Sequence, residues 1–149
     1  FMAVRGGGAF SRVRGEAVAA LLEGVPGPRS LTLSPSTPGE TRTALLKATQ
    51  LEEGPILHGA GSKLICLAEG RAQAYFSGHG LSVWDTAAPG LILEEAGGTI
   101  TDDRGRPLNY REITDSFLHS GGIVASVHLS HQSVLTSIQS VALESGKTG

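Results

Sequence analysis

The stretch that decides the fold is WDTAAPGLILEEAGG, residues 84–98. In it, small residues and an apolar run follow an aspartate and end at a glycine pair, which is the pattern of a single helix. A proline is compatible with a helix only near its first turn, so Pro89 predicts a helix that begins at or next to Asp85. We expect the helix to stop at the glycines 97–98, and the single tryptophan, Trp84, to be buried near a sheet.

An aspartate at the start of a helix has two explanations, and this stretch alone leaves both open. The carboxylate of Asp85 caps the free amides of the first turn, or it holds a divalent metal while those amides face an anion such as phosphate. One aspartate cannot supply a two-metal site, so further carboxylates must come from elsewhere. Glu94 and Glu95 lie roughly two turns or more along the same helix and are poor candidates to share that metal.

Strands and helices alternate on both sides of this stretch. Upstream, the sequence predicts two short strands joined by glycines in 1–13, a short helix or loop at 16–24, a strand at 31–34, a helix at 41–51, a buried strand at 55–58, a helix at 63–70 that ends at Gly70 and a strand at 72–77. Downstream, it predicts a strand at 98–101, a turn at 102–107, a strand at 121–126 and a closing helix at 129–145. This alternation predicts one α/β domain in which helices cover a central sheet.

Two further groups of residues could bind an anion. The glycine-rich turn GAGSK, 59–63, joins a predicted strand to a predicted helix, where its amides and Lys63 could contact phosphate. A tight turn with an exposed lysine is the simpler interpretation, and the spacing is not that of a P-loop. The hydroxyls of Ser34, Ser36 and Thr37 suit helix capping and phosphate contact equally well.

Other polar residues carry weaker signals. His128 and His131 are three residues apart at the start of the closing helix, a spacing that a metal could use, but no third ligand lies nearby in the sequence. Asp102 and Asp103 lie in a polar turn, and we expect them to do no more than solvate it.

Composition excludes several classes of function. The chain has 149 residues and a net charge of −2, which gives no electrostatic case for nucleic acid or an anionic membrane. No apolar run approaches the ~20 residues of a membrane span, and we expect no signal peptide. Cys66 is the only cysteine, which excludes an internal disulfide and favours an intracellular reducing compartment, cytoplasm or organelle.

Three stretches in order carry a family resemblance: GPILHGAGSKLICLAEGRAQAYF at 54–76, VWDTAAPGLILEEAGGTITDDRGRPLNY at 83–110 and HSGGIVAS at 119–126. Together they resemble the C-terminal half of the 3'(2'),5'-bisphosphate nucleotidases. These enzymes belong to the lithium-sensitive, Mg²⁺-dependent phosphatases that include inositol monophosphatase. The Trp-Asp-x-x-Ala-Pro pattern followed by Ala-Gly-Gly and a Thr-Asp turn is specific for this superfamily. The likeness covers most of the chain and is weakest at 14–30.

The resemblance implies the C-terminal α/β part of a layered α/β/α/β/α sandwich, with the N-terminal half and its metal ligands outside residues 1–149. It implies removal of the 3'-phosphate of 3'-phosphoadenosine 5'-phosphate, a nucleotide bisphosphate, to give AMP by metal-activated water. Asp85 would match a Mg²⁺ ligand, and no catalytic residue is predicted within the chain. The residues that would contact the substrate are Ser34, Thr37, Gly59, Lys63 and Thr86.

The chain departs from the family pattern in two places. No Asp-Pro-x-Asp-Gly motif occurs, so we do not expect the chain to be active alone. Thr37 stands where the family has a histidine, which leaves the substrate open.

Three functions therefore remain. The first is a bisphosphate nucleotidase of which this chain is a part, as its start at Phe1 suggests. The second is an inactive half-phosphatase that serves as a structural subunit, with a partner chain over its sheet; the loss of the family histidine favours it. The third is an inositol phosphate phosphatase, which Thr37 allows and the glycine-rich turn argues against.

Overall fold

The computed structural model describes residues 1–12, 19–20, 27–111 and 117–145. The strands in this part of the chain are β1 Met2–Val4, β2 Gly8–Ser11, β3 Ala19–Ala20, β4 Ser30–Leu33, β5 Glu52–Glu53, β6 Ala74–Ser77, β7 Thr99–Asp102 and β8 Ile123–Ser126. The helices are α1 Gly39–Thr49, α2 Ala60–Ala68, α3 Val83–Glu95 and α4 His131–Ser145. None of these helices has the length and hydropathy that crossing a membrane requires.

The larger sheet has five strands in the order β5-β4-β6-β8-β7. β4 pairs in parallel with β5 and β6, whereas β8 runs antiparallel to both β6 and β7. Four strands therefore point the same way and end at one side of the sheet, which we call the carboxyl edge. Every residue of β4 and β8 is buried, as expected for inner strands covered on both faces.

Two pairs of helices cover the two faces of this sheet. α1 and α4 pack together on one face, and α2 and α3 pack together on the other. Side chains that alternate along the strands divide the core between these layers. One cluster includes Leu31, Leu33, Leu45, Val124 and Ile138, and the other includes Leu64, Leu67, Tyr75, Leu93 and Ile123. The predicted α/β fold, with helices over a central sheet, is confirmed.

A smaller antiparallel sheet, β1-β2-β3, packs against α3 from the side away from the large sheet. Its glycine turn is held by the end of that helix, because the carboxylate of Glu95 accepts hydrogen bonds from the amides of Gly6 and Gly8 at 2.8 and 3.0 Å. Arg5 pairs with Glu94 at 2.8 Å. α3 thus lies between two sheets, which is the layering that the resemblance implies.

The glycines predicted to end two helices do so. Gly70 and Gly97 follow α2 and α3 with φ of 71° and 87°, a region that favours glycine. After α3, the amides of Gly97 and Gly98 donate to the carbonyls of Glu94 and Leu93, so the last turn is closed by backbone bonds.

The strand predicted at 55–58 is wrong. The segment is a loop in which Ile56 is 67% exposed, and the strand that pairs there is the short β5 at the sheet edge. Pro55 has no amide to donate to a strand ladder. Its carbonyl instead accepts a hydrogen bond from the hydroxyl of Thr32 at 2.8 Å.

Three other predictions also need adjustment. Trp84 is 66% exposed rather than buried, because it lies in the first turn of α3 beyond the end of the sheet. The GAGSK turn is mostly helical, since α2 begins at Ala60. Of the helix or loop predicted at 16–24, Ala19–Ala20 form β3 and pair with β2, while the rest lies outside the described residues.

Candidate functional site

The residues predicted to bind metal and substrate all lie at the carboxyl edge. α1 and α3 each leave a strand that ends there, and α2 leads into the opposite end of β6, so these helices all begin at that edge. In α/β sheets, ligands bind outside the carboxyl ends of the strands. The residues brought to this edge are Ser34, Thr37, Gly59, Lys63, Asp85 and Thr86.

Asp85 is the third residue of α3 and not its N-cap, which is Ser82. The side chain is half-buried, and no residue in the described ranges donates a hydrogen bond to its carboxylate or pairs with it as an ion. The interpretation of Asp85 as a capping residue is therefore wrong. Two amides of this turn are already used: Val83 donates to the carbonyl of Phe117 at 2.9 Å, and Asp85 donates to that of Ser82 at 3.0 Å.

Lys63 lies in the first turn of α2, on the side that faces α3. It is only 3% exposed, which contradicts the expectation of an exposed lysine. Its Nζ donates to the carbonyl of Gly59 at 3.1 Å and lies 5.6 Å from the centre of the Tyr75 ring. Burial lowers the pKa of Lys63, and the nearby charge of Asp85 opposes that shift. The two charged groups are thus close without forming an ion pair.

The close approach of α2 and α3 depends on two small features. A Cβ atom on Gly61 would lie 3.2 Å from Cγ of Pro89 and 3.8 Å from the carbonyl oxygen of Asp85. Pro89 lies in the second turn of α3 rather than the first, and its nitrogen cannot donate to that carbonyl.

Tyr75, on β6, faces the same region and was not identified from the sequence. Burial raises the pKa of Tyr75 to about 12, with a contribution from the charge of Asp85, while a hydrogen bond with Ser77 acts in the opposite direction. Its phenol therefore stays protonated at neutral pH. Nothing in its strand pattern distinguishes this aromatic residue from an ordinary core residue.

Thr86 follows Asp85 but points away from solvent. Its side chain is fully buried, with Oγ1 lying 2.7 Å from Nε2 of His119 and 3.2 Å from the carbonyl of Val83. The ring of Tyr110 packs edge-on against His119, with centres 5.4 Å apart. Burial lowers the pKa of His119, which favours the neutral ring. His119 and Tyr110 were not identified from the sequence, because each is more than twenty residues away from Thr86.

Ser34 and Thr37 lie in a turn between β4 and α1. The hydroxyl of Ser34 lies 2.8 Å from that of Ser36, and the amide of Thr37 donates to the carbonyl of Ser34 at 2.9 Å. The N-cap residue of α1 is Pro38, and the helix has no side-chain cap. The N-cap of α2 is Gly59, with φ of 78° and likewise no side-chain cap.

Two other groups of polar residues noted in the sequence, a histidine pair and an aspartate pair, lie outside this site, and three of the four side chains stabilise the fold. His131 lies at the opposite edge of the sheet, where its ring nitrogens each lie 2.9 Å from a hydroxyl, of Thr101 and of Ser126. His128 is exposed and makes no site with it. Asp102 and Asp103 do more than solvate their turn.

Both aspartates bind backbone amides. Oδ1 of Asp102 accepts hydrogen bonds from the amides of Arg104 and Arg106, and Oδ2 accepts one from the Arg106 side chain at 2.7 Å. Burial acts to raise the pKa of Asp102, but the hydrogen bonds from Arg106 and Arg104, together with the charge of Arg106, outweigh it and hold that pKa below its usual value. Asp103 accepts a bond from the amide of Gly122 at 2.9 Å.

A cleft of about 530 Å³ opens at the carboxyl edge beside this site. The turn at 106–109 and the segment at 118–121 form its walls. His119 belongs to both the cleft and the buried contact with Thr86, and so links the two.

Comparison with known proteins assigns the chain to a family. The model of the inositol monophosphatase family matches residues 1–143. The chain belongs to the inositol monophosphatase family.

Within this family, the chain is similar to curated bisphosphate nucleotidases. It is 45% identical over 71 residues to 3'(2'),5'-bisphosphate nucleotidase 1 of Rattus norvegicus, covering 46% of this chain and 22% of the rat protein. It is 34% identical over 108 residues to the Mus musculus protein of the same name, covering 72% of this chain and 35% of that protein. The matched region is thus about a third of these relatives' length or less.

Solved structures of the inositol monophosphatase family share the fold. An IMPase from Thermotoga maritima superposes with a TM-score of 0.63 at 19% identity, over 91% of this chain and 52% of that one. SaIMPase-II with bound inositol monophosphate superposes with a TM-score of 0.63 at 17% identity, over 93% of this chain and 55% of that one. At these identities the likeness shows the fold alone.

The residues at the carboxyl edge fit a magnesium ion in part. Asp85 offers a carboxylate without a partner in the described structure, which suits an ion that prefers oxygen ligands. No group of three or more histidine, cysteine, aspartate or glutamate side chains that could hold a metal occurs in residues 1–12, 19–20, 27–111 and 117–145. These residues supply one ligand and not a complete metal site.

Proposed function

We propose that this chain is the C-terminal part of a Mg²⁺-dependent phosphatase that removes the 3'-phosphate of 3'-phosphoadenosine 5'-phosphate and leaves AMP. The observation that carries the proposal is the carboxylate of Asp85. It is half-buried at the carboxyl edge and has no hydrogen-bond or ion-pair partner in the described part of the chain. A carboxylate that no described residue binds remains free to bind a cation, and Mg²⁺ prefers oxygen ligands of this kind.

In this proposal, each residue of the chain has a limited task. Asp85 offers an oxygen ligand to the metal. Lys63 holds the carbonyl of Gly59 and so orients the first turn of α2, whose amides have no side-chain cap and can bind phosphate oxygens. When bound, magnesium supplies an activated water and neutralises charge on the phosphoryl oxygens. The other carboxylates come from a region outside residues 1–149.

Exposed apolar residues in and just before β1 support a further part of the domain. Phe1, Met2 and Val4 are 57%, 48% and 71% exposed on the small sheet. In the proposal, the N-terminal half of the phosphatase domain covers them. A partner chain would cover the same surface if the protein were an inactive half-phosphatase, which the lack of a complete metal site in the described residues would also suit.

The relatives favour a nucleotide substrate over an inositol phosphate. The rat protein that is 45% identical over 71 residues is a bisphosphate nucleotidase. So is CysQ of Escherichia coli, which is 38% identical over 63 residues. The solved structures of inositol monophosphatases are 16–21% identical to this chain and bear on the fold alone.

The test is phosphate release from 3'-phosphoadenosine 5'-phosphate by the protein at the length its source produces. We expect release that requires Mg²⁺ and that lithium suppresses, with inositol monophosphate as the comparison substrate. Faster release from inositol monophosphate would reassign the substrate. No release from either substrate by a folded protein would favour the structural subunit.

A further inference from the structure

A short segment, residues 117–119, runs beside the start of α3, and we call it the strap. The carbonyl of Phe117 accepts the amide of Val83 at 2.9 Å, and the amide of His119 donates to the carbonyl of Leu81 at 3.0 Å. Leu118 of the strap and Ser82, just before α3, form an isolated antiparallel bridge. The strap therefore occupies the first amide of α3, which would otherwise be free at the helix end.

Side chains reinforce this backbone pairing on both sides of the turn. The imidazole of His119, in a residue only 8% exposed, lies 2.7 Å from the hydroxyl of the fully buried Thr86. The ring of Phe117 lies 6.1 Å from that of Trp84. The strap thus contacts the residues immediately before and after Asp85 but leaves the Asp85 carboxylate itself without a bond.

We propose that His119 is a positioning residue for Asp85. His119 acts through Thr86 and the strap, and holds the first turn of α3 in the orientation that binds a divalent cation. This inference rests on the proposed function, because it takes Asp85 to be a metal ligand. Ser82, the N-cap of α3, makes no side-chain cap, so the strap replaces the usual device that fixes a helix start. Groups that orient a metal ligand from behind commonly contribute 10- to 100-fold to metal affinity.

The experiment measures Mn²⁺ binding by electron paramagnetic resonance, without substrate, in the protein at its natural length. Thr86→Val keeps the shape of the side chain and removes the hydroxyl, and His119→Phe keeps a ring and removes the nitrogen. We expect each variant to bind Mn²⁺ roughly tenfold more weakly. The double variant should lose no more than either single one, because both remove the same hydrogen bond.

Conservative variants and a distant histidine serve as controls. Thr86→Ser keeps the hydroxyl and should bind Mn²⁺ as the wild type does. His128→Asn changes an exposed histidine beyond the other end of β8 and should have no effect, since asparagine tolerates the φ of 54° at that position.

One result would overturn the inference: Mn²⁺ affinity within twofold of wild type in Thr86→Val, even if its melting temperature falls. Thr86→Val decides the matter alone if His119→Phe does not fold. Asp85→Asn separates this inference from the proposed function. If Asp85→Asn binds Mn²⁺ normally, the proposed function fails; if it binds weakly while Thr86→Val binds normally, only the role of His119 fails.

Discussion

The two ends of α3 treat their carboxylates in opposite ways. At the C-terminal end, Glu95 accepts two amide hydrogen bonds from the glycine turn at 6–8, and Glu94 pairs with Arg5. At the N-terminal end, the carboxylate of Asp85 has no such partner in the described structure. One helix therefore carries both satisfied and unsatisfied acids, within about three turns.

The difference is not what helix electrostatics alone would produce. The helix dipole favours a negative charge at the N-terminal end and disfavours one at the C-terminal end. The acids at the unfavourable end are held by hydrogen bonds to the small sheet, and so they serve the fold. Asp85 sits at the favourable end, where a charge is tolerated without a protein partner and stays available for a ligand.

The largest expected effect comes from changing the free acid. Asp85→Asn should lower Mg²⁺-dependent phosphate release by on the order of a hundredfold or more, the loss expected when charge stabilisation in a transition state is removed. Its free energy of unfolding should change by less than about 0.5 kcal/mol, because the carboxylate makes no bond in the described fold. Steady-state kinetics and urea unfolding measure the two, with Glu94→Gln as the matched control. Unchanged turnover in Asp85→Asn would erase the contrast between the two ends.

A smaller effect is expected from breaking the contact that holds the N-terminal end. A Cβ atom on Gly80 would lie 1.9 Å from the carbonyl oxygen of His119, so Gly80→Ala should displace the strap. We expect a loss of about 2 kcal/mol in the free energy of unfolding, as for overpacked sites. Gly39→Ala, where a Cβ meets nothing within 4 Å, is the control. Equal free energies of unfolding for Gly80→Ala and Gly39→Ala in urea would mean that the strap can be displaced without destabilising the fold.

The smallest effect belongs to the satisfied end and depends on pH. Hydrogen bonds from Gly6 and Gly8 lower the pKa of Glu95 in the folded state. Such a group stabilises the fold above its unfolded pKa and loses that contribution as the pH falls through the folded value. Glu95→Gln should therefore melt below the wild type at pH 7 and match it well below pH 4.5.

Arg5→Ala is the control for that series. It removes an exposed ion pair from the same turn and should change the melting temperature little at either pH. A difference between wild type and Glu95→Gln that persists in acid would show that the hydrogen bonds of the neutral side chain, and not its charge, matter at this position.

Local patterns predicted the frame of the molecule well. The glycines at 70 and 97 end helices because their positive φ suits no other residue as well, and that requirement is visible in the sequence. The alternation of strands and helices predicted the layers for a similar reason, since burial on one side leaves a period in the chain.

Contacts between distant segments could not be predicted in this way. Thr86 and His119 meet because the strap returns to α3, and nothing in either residue type predicts that contact. The depth of Lys63 depends on how closely α2 approaches α3, and the exposure of Trp84 depends on where the sheet ends. Asp85 was singled out from the sequence, but the lack of a partner for its carboxylate in the described structure could be seen only once its surroundings were known.

Pro89 gives this arrangement a mechanical consequence. Pro89 has no amide hydrogen, so the hydrogen bond from residue 89 to the carbonyl of Asp85 is missing between the first turn of α3 and the rest of the helix. In the proposed function, a displacement of Asp85 on metal binding would therefore strain the helix less than it would in an unbroken ladder. At its other end the helix is held to the glycine turn by the hydrogen bonds of Glu95, so the same helix can be compliant at its start and rigid at its end.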